Sequence, residues 1–346
     1  MRIATAKQTY AADEALFDTP TQRLWLGLFA LLLAAFPFVA SQYWLYLACL
    51  VAINIISATG LNILTGYTGL VSLGQAAFMG VGAYTVAVLE SRWGTPCLLN
   101  LLAGGGVAMV IGMVFGIPSL RVKGLYLAIA TIAASFILHF VFANWTAVTG
   151  GTAGLTLPPA QLFGLALDNE FRIYWLIVPL AALMVFGAAN LFRTRIGRAF
   201  IAIRDRDISA EVLGIPLLRY KLLSFAIASF YAGVAGGLWA YFFRSVTPES
   251  FPLIMSIFFL AAIIVGGMGT ILGGILGAAF MTLVPEALKL VFGLLPNAAE
   301  MAVHLAPVRT IVFGALIVGF LIFEPHGLAE MWRRTRRFFH LWPFRT

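Results

Sequence analysis

The most polar stretch of this chain, and the one whose residue types favour specific binding, is residues 193–221. It reads RTRIGRAFIAIRDRDISAEVLGIPLLRYK and holds seven of the 22 Lys and Arg residues. Interleaved bases and acids of this kind match a complementary charged surface. The chain is 61% hydrophobic and only 10% charged, and long apolar runs flank this polar block on both sides. We therefore expect 193–221 to be a docking surface on the face of a membrane protein.

A second informative stretch, at residues 65–84, is rich in glycine and small polar residues and reads TGYTGLVSLGQAAFMGVGAY. Irregular backbone at membrane depth is tolerated where it is buried or lines a cavity. The candidates for lining a substrate pathway are Gly66, Gly69, Ser72, Gly74 and Gln75. A tight helix–helix loop with glycine packing is the alternative interpretation.

The second half of the chain contains a related stretch, VGGMGTILGGILGAAFM, at 265–281. Both stretches combine Gly-rich turns with the tetrapeptide AAFM. Half-to-half repeats are common in transporters, so the pair raises the hypothesis of an internal repeat.

The elements that must position these segments are membrane helices. Mean hydropathy is +0.96, and the apolar runs approach the roughly 20 residues needed to cross hydrocarbon. Backbone groups inside a bilayer must pair within their own segment, so such runs predict helices. The predicted spans lie near 24–40, 43–64, 75–90, 97–117, 124–143, 173–191, 222–243, 253–272, 274–295 and 309–323. The expected fold is an all-α polytopic membrane protein with about ten transmembrane helices.

The distribution of basic residues predicts the orientation. Most Lys and Arg residues fall in 1–23, 193–221 and 328–346, which an even number of spans places on one side. Because basic loops stay cytoplasmic, both termini are expected inside the cell. This divides the chain into a cytoplasmic tail at 1–23, a transmembrane domain at 24–327 and a basic cytoplasmic tail at 328–346. The mixed polar start lacks the pattern of a cleaved signal.

Composition and motifs exclude several classes of function. The net charge of +8 reflects topology and contact with membrane lipid, and no nucleic-acid motif accompanies it. The sequence has neither a P-loop nor an H-E-x-x-H motif. Cys49 and Cys97 are isolated and are interpreted as apolar packing residues. We therefore expect no cofactor, no metal site and no enzymatic reaction in this chain.

Transport remains, by one of two energy sources. Ion-coupled carriers keep ionisable groups inside the membrane, whereas no predicted span has a carboxylate at its middle. Glu286 and Lys289, three residues apart, are interpreted as a local ion pair, with a substrate-lining role as the alternative. This pattern favours an energy source outside the chain, and an ion-coupled secondary transporter acting alone is the competing hypothesis. A membrane scaffold without transport activity is the third hypothesis for the function.

Several motifs in a fixed order resemble one family. They are the stretch at 65–84, LRVKGLYLAIATIA at 120–133, TGGTAGL at 149–155, the segment 197–229 and VGGMGTILGGILGA at 265–278. Their order and spacing resemble the LivM-type permease subunits of branched-chain amino acid ABC importers. The resemblance covers about residues 42 to 327. Gln75 stands where that family often has His, with Gln as an alternative, and related permeases serve urea, amides and aromatic acids.

The resemblance implies a role for the polar block. Permeases of ABC importers carry a cytoplasmic loop that docks into a groove of the ATPase subunit. The matching candidates here are Arg204, Asp207, Ser209, Ala210, Glu211 and Gly214. A short amphipathic helix would end near Gly214. A helix binding anionic lipid is the alternative, and the interleaved acids argue against it.

The resemblance also implies partners and a location. They are a second homologous, LivH-like permease, two ATP-binding subunits and a periplasmic substrate-binding protein, in the bacterial inner membrane. ATP hydrolysis would take place in the partners, and this chain would supply half of the pathway for branched-chain or related small amino acids.

Overall fold

Helices make up nearly all of the regular structure in this computed structural model, which describes residues 20–119, 124–162, 164–293, 305–324 and 327–341. In chain order they are α1 Pro20–Val39, α2 Gln42–Leu61, α3 Gln75–Trp93, α4 Cys97–Ser119, α5 Leu125–Asn144, α6 Thr146–Thr149, α7 Glu170–Leu191, α8 Arg195–Asp205, α9 Asp207–Val212, α10 Leu217–Phe243, α11 Leu253–Gly266, α12 Ile271–Gly293, α13 Leu305–Phe323 and α14 Gly327–Leu341. The predicted helical class is confirmed.

Short strands connect some of these helices. The strand β1, Leu155–Thr156, pairs antiparallel with β4, Ser245–Val246. The strands β2, Gln161–Leu162, and β3, Leu165–Ala166, form a second antiparallel pair. The first pair joins the loop after α6 to the end of α10, so it ties the two halves of the chain together.

Every predicted apolar run overlaps a helix, as expected where the backbone must satisfy its own hydrogen bonds. Among the described residues, seven stretches are long and apolar enough to cross a membrane. They belong to α2, α4, α5, α7, α10, α11 and α12. The helix α1 has a shorter apolar stretch, Leu24–Val39, and α3 and α13 are not among the seven. The protein is therefore mostly helical and has several membrane-spanning candidates.

One predicted boundary is wrong in position. The run predicted as a span at 253–272 ends as a helix at Gly266, and α12 already begins at Ile271. Gly267 and Gly269 adopt positive φ angles of 113° and 76°, which only glycine adopts readily. Glycine is nearly neutral in hydropathy, so it interrupts the helix without producing a polar gap, and the hydropathy pattern alone missed the turn.

The helices α2, α3 and α10 form the centre of the bundle. The apolar stretches of α2 and α10 are mostly buried, whereas each of the other five spanning candidates buries less than half of its own. Glycines let these helices approach closely: a Cβ at Gly82 would overlap the backbone of Gly233, and one at Gly104 would lie 3.0 Å from the Gly82 carbonyl oxygen. The helix α3 thus has protein rather than lipid around it, which explains its lower hydropathy.

Both predicted tails extend beyond the described part of the chain. Residues 1–19 of the expected N-terminal tail lie outside the described residues, and α1 begins at Pro20. The expected C-terminal tail, 328–346, starts with α14, while 342–346 lie outside the described residues.

Candidate functional site

The first Gly-rich segment interrupts the helical backbone next to the core. The helix α2 continues as a π-helical turn, Asn62–Tyr67, and α3 begins only at Gln75. Gly69 between them has φ 76°. Wider π-helical turns are rare and occur often at functional sites. The segment is therefore an irregular break between two helices, as its composition predicts.

Asn62 joins this break to the second Gly-rich turn, at 267–270. Its Oδ1 accepts a hydrogen bond from the Gly269 N–H at 2.9 Å, and its Nδ2 donates to the Thr270 carbonyl oxygen at 2.8 Å. Gly69 and Gly269 have the same φ of 76°. The two stretches that look related in sequence thus lie against each other, and the Asn62 side chain, at the start of the π-helical turn, holds them together.

Arg204, at the end of α8 in the polar block, reaches the same place. Its Nη1 donates to the Gly66 carbonyl oxygen at 3.1 Å, and its Nη2 pairs with Asp205 at 3.2 Å. A Cβ placed on Gly269 would lie 2.6 Å from Nη1, and one on Gly69 would lie 3.2 Å from the Arg204 Cγ. One guanidinium therefore contacts both Gly-rich turns, which joins the two predicted sites into one.

An open pocket of about 510 Å³ lies at this junction. Its wall includes Thr68, Gly69 and Leu70 from the first break and the α8–α9 junction from Ile203 to Ser209. Lys221, at the start of α10, completes one side and forms an ion pair with Asp207 at 3.6 Å. The pocket thus separates the predicted docking segment from the predicted pathway segment.

The predicted short helix in the polar block is present as α9, with Gly214 just beyond its end. Gly214 has φ 85°, and a Cβ there would meet nothing within 4 Å. The Ile215 N–H donates to the Ala210 carbonyl oxygen at 3.0 Å, which satisfies a carbonyl that the helix end leaves free. The prediction of a helix end at Gly214 is confirmed.

The surface of α9 is unusually apolar for an exposed segment. Ile208, Val212 and Leu213 are 69%, 84% and 80% exposed. Ser209 and Glu211 are exposed beside them, whereas Ala210 is buried and packs α9 onto the rest of the chain. Exposed apolar side chains next to charged ones are typical of a protein-binding surface.

Asp207 has its contacts within the chain. Its Oδ1 accepts a hydrogen bond from the Ile208 N–H at 2.9 Å, and its Oδ2 pairs with Lys221. A carboxylate in the first turn of a helix is favoured by the helix dipole. Asp207 therefore orients α9 and fixes it to α10.

The predicted pathway residues do not all border the pocket. Gly66, Ser72, Gly74 and Gln75 are buried, while Gly69 is exposed and lies in the pocket wall. The Gln75 Nε2 donates to the carbonyl oxygen of Ser57 at 2.8 Å and to its hydroxyl at 3.1 Å. The structure thus brings Gly66 and Gly69 to Arg204 and places Gln75 between α2 and α3.

A buried acid that sequence reasoning did not single out lies elsewhere. The Glu90 Oε2 in α3 accepts hydrogen bonds from the Tyr241 hydroxyl and the Asn100 Nδ2, both at 2.7 Å. Glu90 is 9% exposed. The three residues come from α3, α4 and α10, so this cluster joins the central helices at one end. Only the tertiary packing identifies the cluster, because Tyr241 is 151 residues from Glu90 in the sequence.

The remaining predictions concern the Glu286–Lys289 pair, the two cysteines and metal binding. Lys289 Nζ pairs with Glu286 at 2.6 Å, and the Tyr43 hydroxyl donates to the same carboxylate at 2.6 Å, which confirms a local ion pair. Cys49 and Cys97 are free and buried. No group of acids, histidines and cysteines that could hold a metal ion occurs in the described part of the chain.

The fold and the site define a multi-pass membrane protein with an exposed polar segment at 193–221. The sequence pattern of the family described as branched-chain amino acid transport system, permease component, matches residues 43–321. The chain belongs to this family of transport permeases, whose members are transport subunits rather than enzymes.

Three relatives illustrate the range of the family. The chain is 32% identical over 340 residues to the high-affinity branched-chain amino acid transport system permease protein LivM of Escherichia coli, covering 91% of this chain and 77% of that protein. It is 26% identical to a probable LivH permease of Methanocaldococcus jannaschii, covering 82% and 90%. It is 22% identical to the L-arabinose transport system permease protein AraH of Escherichia coli, covering 81% and 87%. No solved structure matches the chain.

Proposed function

We propose that this chain is a membrane-spanning permease subunit of an ATP-driven importer of branched-chain or related small amino acids. The LivM relatives support the substrate class, because they are the more similar relatives and cover most of the chain. Permeases for sugars match at lower identity. A periplasmic binding protein would deliver the substrate, and a LivH-like permease would supply the other half of the pathway.

The observation that carries this proposal is the Arg204 link between the α8–α9 junction and the two Gly-rich turns. A protein that binds the exposed face of α9 pulls on the α8–α9 junction, and Arg204 transmits the movement to the Gly66 carbonyl. Turns with positive-φ glycines can change direction at little cost, since glycine populates both signs of φ. Energy released in a partner protein would thereby move the backbone of this chain at the Gly-rich turns.

The expected partner on α9 is an ATP-binding subunit. Ile208, Val212 and Leu213 would fill an apolar groove, and Glu211 and Ser209 would face its polar rim. Buried apolar anchors with a polar rim are the usual anatomy of protein interfaces. Two such subunits, one on each permease, would close on ATP and drive the two permeases between inward-open and outward-open forms.

The finer topology is part of the same proposal. The seven spanning candidates together with α1, α3 and α13 give about ten transmembrane helices in the bacterial inner membrane. Both termini and 193–221 would be cytoplasmic, with 1–23 and 328–346 flanking the membrane domain at 24–327. Periplasm-dependent reporters fused after residue 160 should be active and those fused after residue 205 silent; the reverse pattern would contradict this orientation.

The decisive experiment reconstitutes the chain into proteoliposomes with and without the second permease, the ATP-binding subunits and the binding protein. Uptake of radiolabelled leucine that requires every component and ATP is the expected result. Uptake by the chain alone, driven by a proton or sodium gradient, would instead identify an ion-coupled carrier. Competition of leucine uptake by urea, amides or aromatic acids would then separate the related substrate classes.

A further inference from the structure

The helix α14 is amphipathic, and much of its apolar side has no protein partner among the described residues. Met331 and Trp332 are 46% and 59% exposed. Helical spacing places them with Leu328, while Arg333 lies on the other side and Arg336, four residues after Trp332, lies at the border of the apolar side. An exposed apolar stripe beside arginines is the pattern of helices that lie in a membrane interface. Trp is enriched at that depth, because its ring is amphipathic.

The start of α14 is fixed firmly to the membrane bundle. Gly327 is buried, with φ 72°, and a Cβ on it would lie 2.5 Å from the Gly267 nitrogen. Leu328 packs against a core that includes Val265 and Phe320. Arg334 pairs with Glu324, just past the end of α13, at 3.1 Å. These contacts set the direction in which the helix leaves the bundle.

The position of α14 determines what covers its apolar side. It follows α13 after a short connection, and α13 carries exposed apolar residues such as Val318 and Ile322, which are 55% and 68% exposed. Those side chains are suited to lipid, since the family is a membrane permease. The apolar residues of α14 begin six residues after Ile322 in the sequence. They therefore start near the bilayer surface at which α13 ends.

The charges of α14 determine the lipid class. The described helix carries Arg333, Arg334 and Arg336, and its one acid, Glu330, forms ion pairs with Arg333 and with Arg334, so the helix keeps a net positive charge. Arginine guanidinium groups bind phosphate in a bidentate manner. We infer that α14 lies along the membrane surface, with Met331 and Trp332 in the acyl boundary and its arginines on the headgroups of anionic phospholipids. Because Gly327 touches the turn that Asn62 and Arg204 also contact, bound lipid would hold this turn in place.

The test uses the full-length chain in nanodiscs of phosphatidylcholine with increasing phosphatidylglycerol. A nitroxide label on Met331→Cys reports depth through its collisions with oxygen and with a water-soluble nickel complex. Both native cysteines, Cys49 and Cys97, are buried, so labelling is directed to the new thiol. A label on Ile322→Cys, facing lipid at every composition, is the depth control.

We expect oxygen contact at position 331 to rise with the phosphatidylglycerol fraction and nickel contact to fall. Each basic residue near an anionic surface contributes about a fivefold factor. Adding Arg333→Gln and Arg336→Gln should therefore weaken insertion about 25-fold. The label at position 331 should then stay in water at phosphatidylglycerol fractions at which it is fully inserted in the protein without these two substitutions. Arg195→Gln, an exposed arginine on α8, should leave the curve unchanged.

Three results would overturn the inference. A label at 331 that meets the nickel complex at all compositions would place α14 in water. A label shielded from both oxygen and nickel would mean that a protein surface covers the helix. Insertion that is equal in pure phosphatidylcholine, or unchanged in the double arginine variant, would remove the role of anionic lipid.

Discussion

Arg204 gives the sharpest test of how the docking segment acts on the pathway. We expect Arg204→Ala to separate ATP hydrolysis from transport, because it removes the contact between α8 and the Gly66 carbonyl while it leaves α9 exposed. A hydrogen bond from a charged group contributes about 1.5–3 kcal/mol. The Arg204 side chain is 38% exposed, so solvent screening favours the lower end. About 1.5 kcal/mol corresponds to roughly a tenfold loss of coupling.

The assay measures substrate taken up per ATP hydrolysed in proteoliposomes that contain the complete importer. Arg198→Ala, an exposed arginine of the same helix, is the matched control and should keep the parent ratio. Arg204→Lys should recover part of the ratio, because a lysine keeps the charge but cannot form the same fork. An Arg204→Ala complex that assembles normally and transports as much per ATP as the parent would refute the coupling role.

Three further predictions concern docking, the Gly-rich turns and the bundle. Glu211→Lys should abolish co-purification with the ATP-binding subunits but leave membrane insertion intact, since a like charge at an interface costs several kcal/mol; full uptake would contradict docking through α9. Gly66→Ala should lower the free energy of unfolding by about 2 kcal/mol, because the new Cβ displaces Asn62 and its two hydrogen bonds. Thermal melting in detergent measures the loss. Gly106→Ala is the control and should melt like the parent protein, because a Cβ there meets nothing within 4 Å. Tyr241→Phe should destabilise by about 1.5–3 kcal/mol, because it removes a donor from a buried carboxylate; equal melting of this variant and the exposed-site control Tyr126→Phe would show that the cluster contributes nothing.

The sequence by itself determined the local elements, because their causes are local. Apolar runs of nearly membrane-spanning length require helices wherever water is absent, so each predicted run overlaps a helix, although the run at 253–272 spans the break between α11 and α12. Gly214 ends α9 because the αL position suits glycine. Glu286 and Lys289 meet because residues three apart share a helix face.

Only the tertiary structure decided which of these elements meet. The Arg204–Gly66 contact spans 138 residues of sequence, the Asn62–Gly269 contact 207 and the Glu90–Tyr241 contact 151. Neither the hydropathy pattern nor the residue spacing predicts that these pairs meet, since each contact depends on how the whole bundle packs. For the same reason the sequence did not show whether α3 is surrounded by protein or by lipid. A helix buried among protein neighbours tolerates polar residues that lipid would exclude, and a hydropathy pattern does not distinguish the two environments.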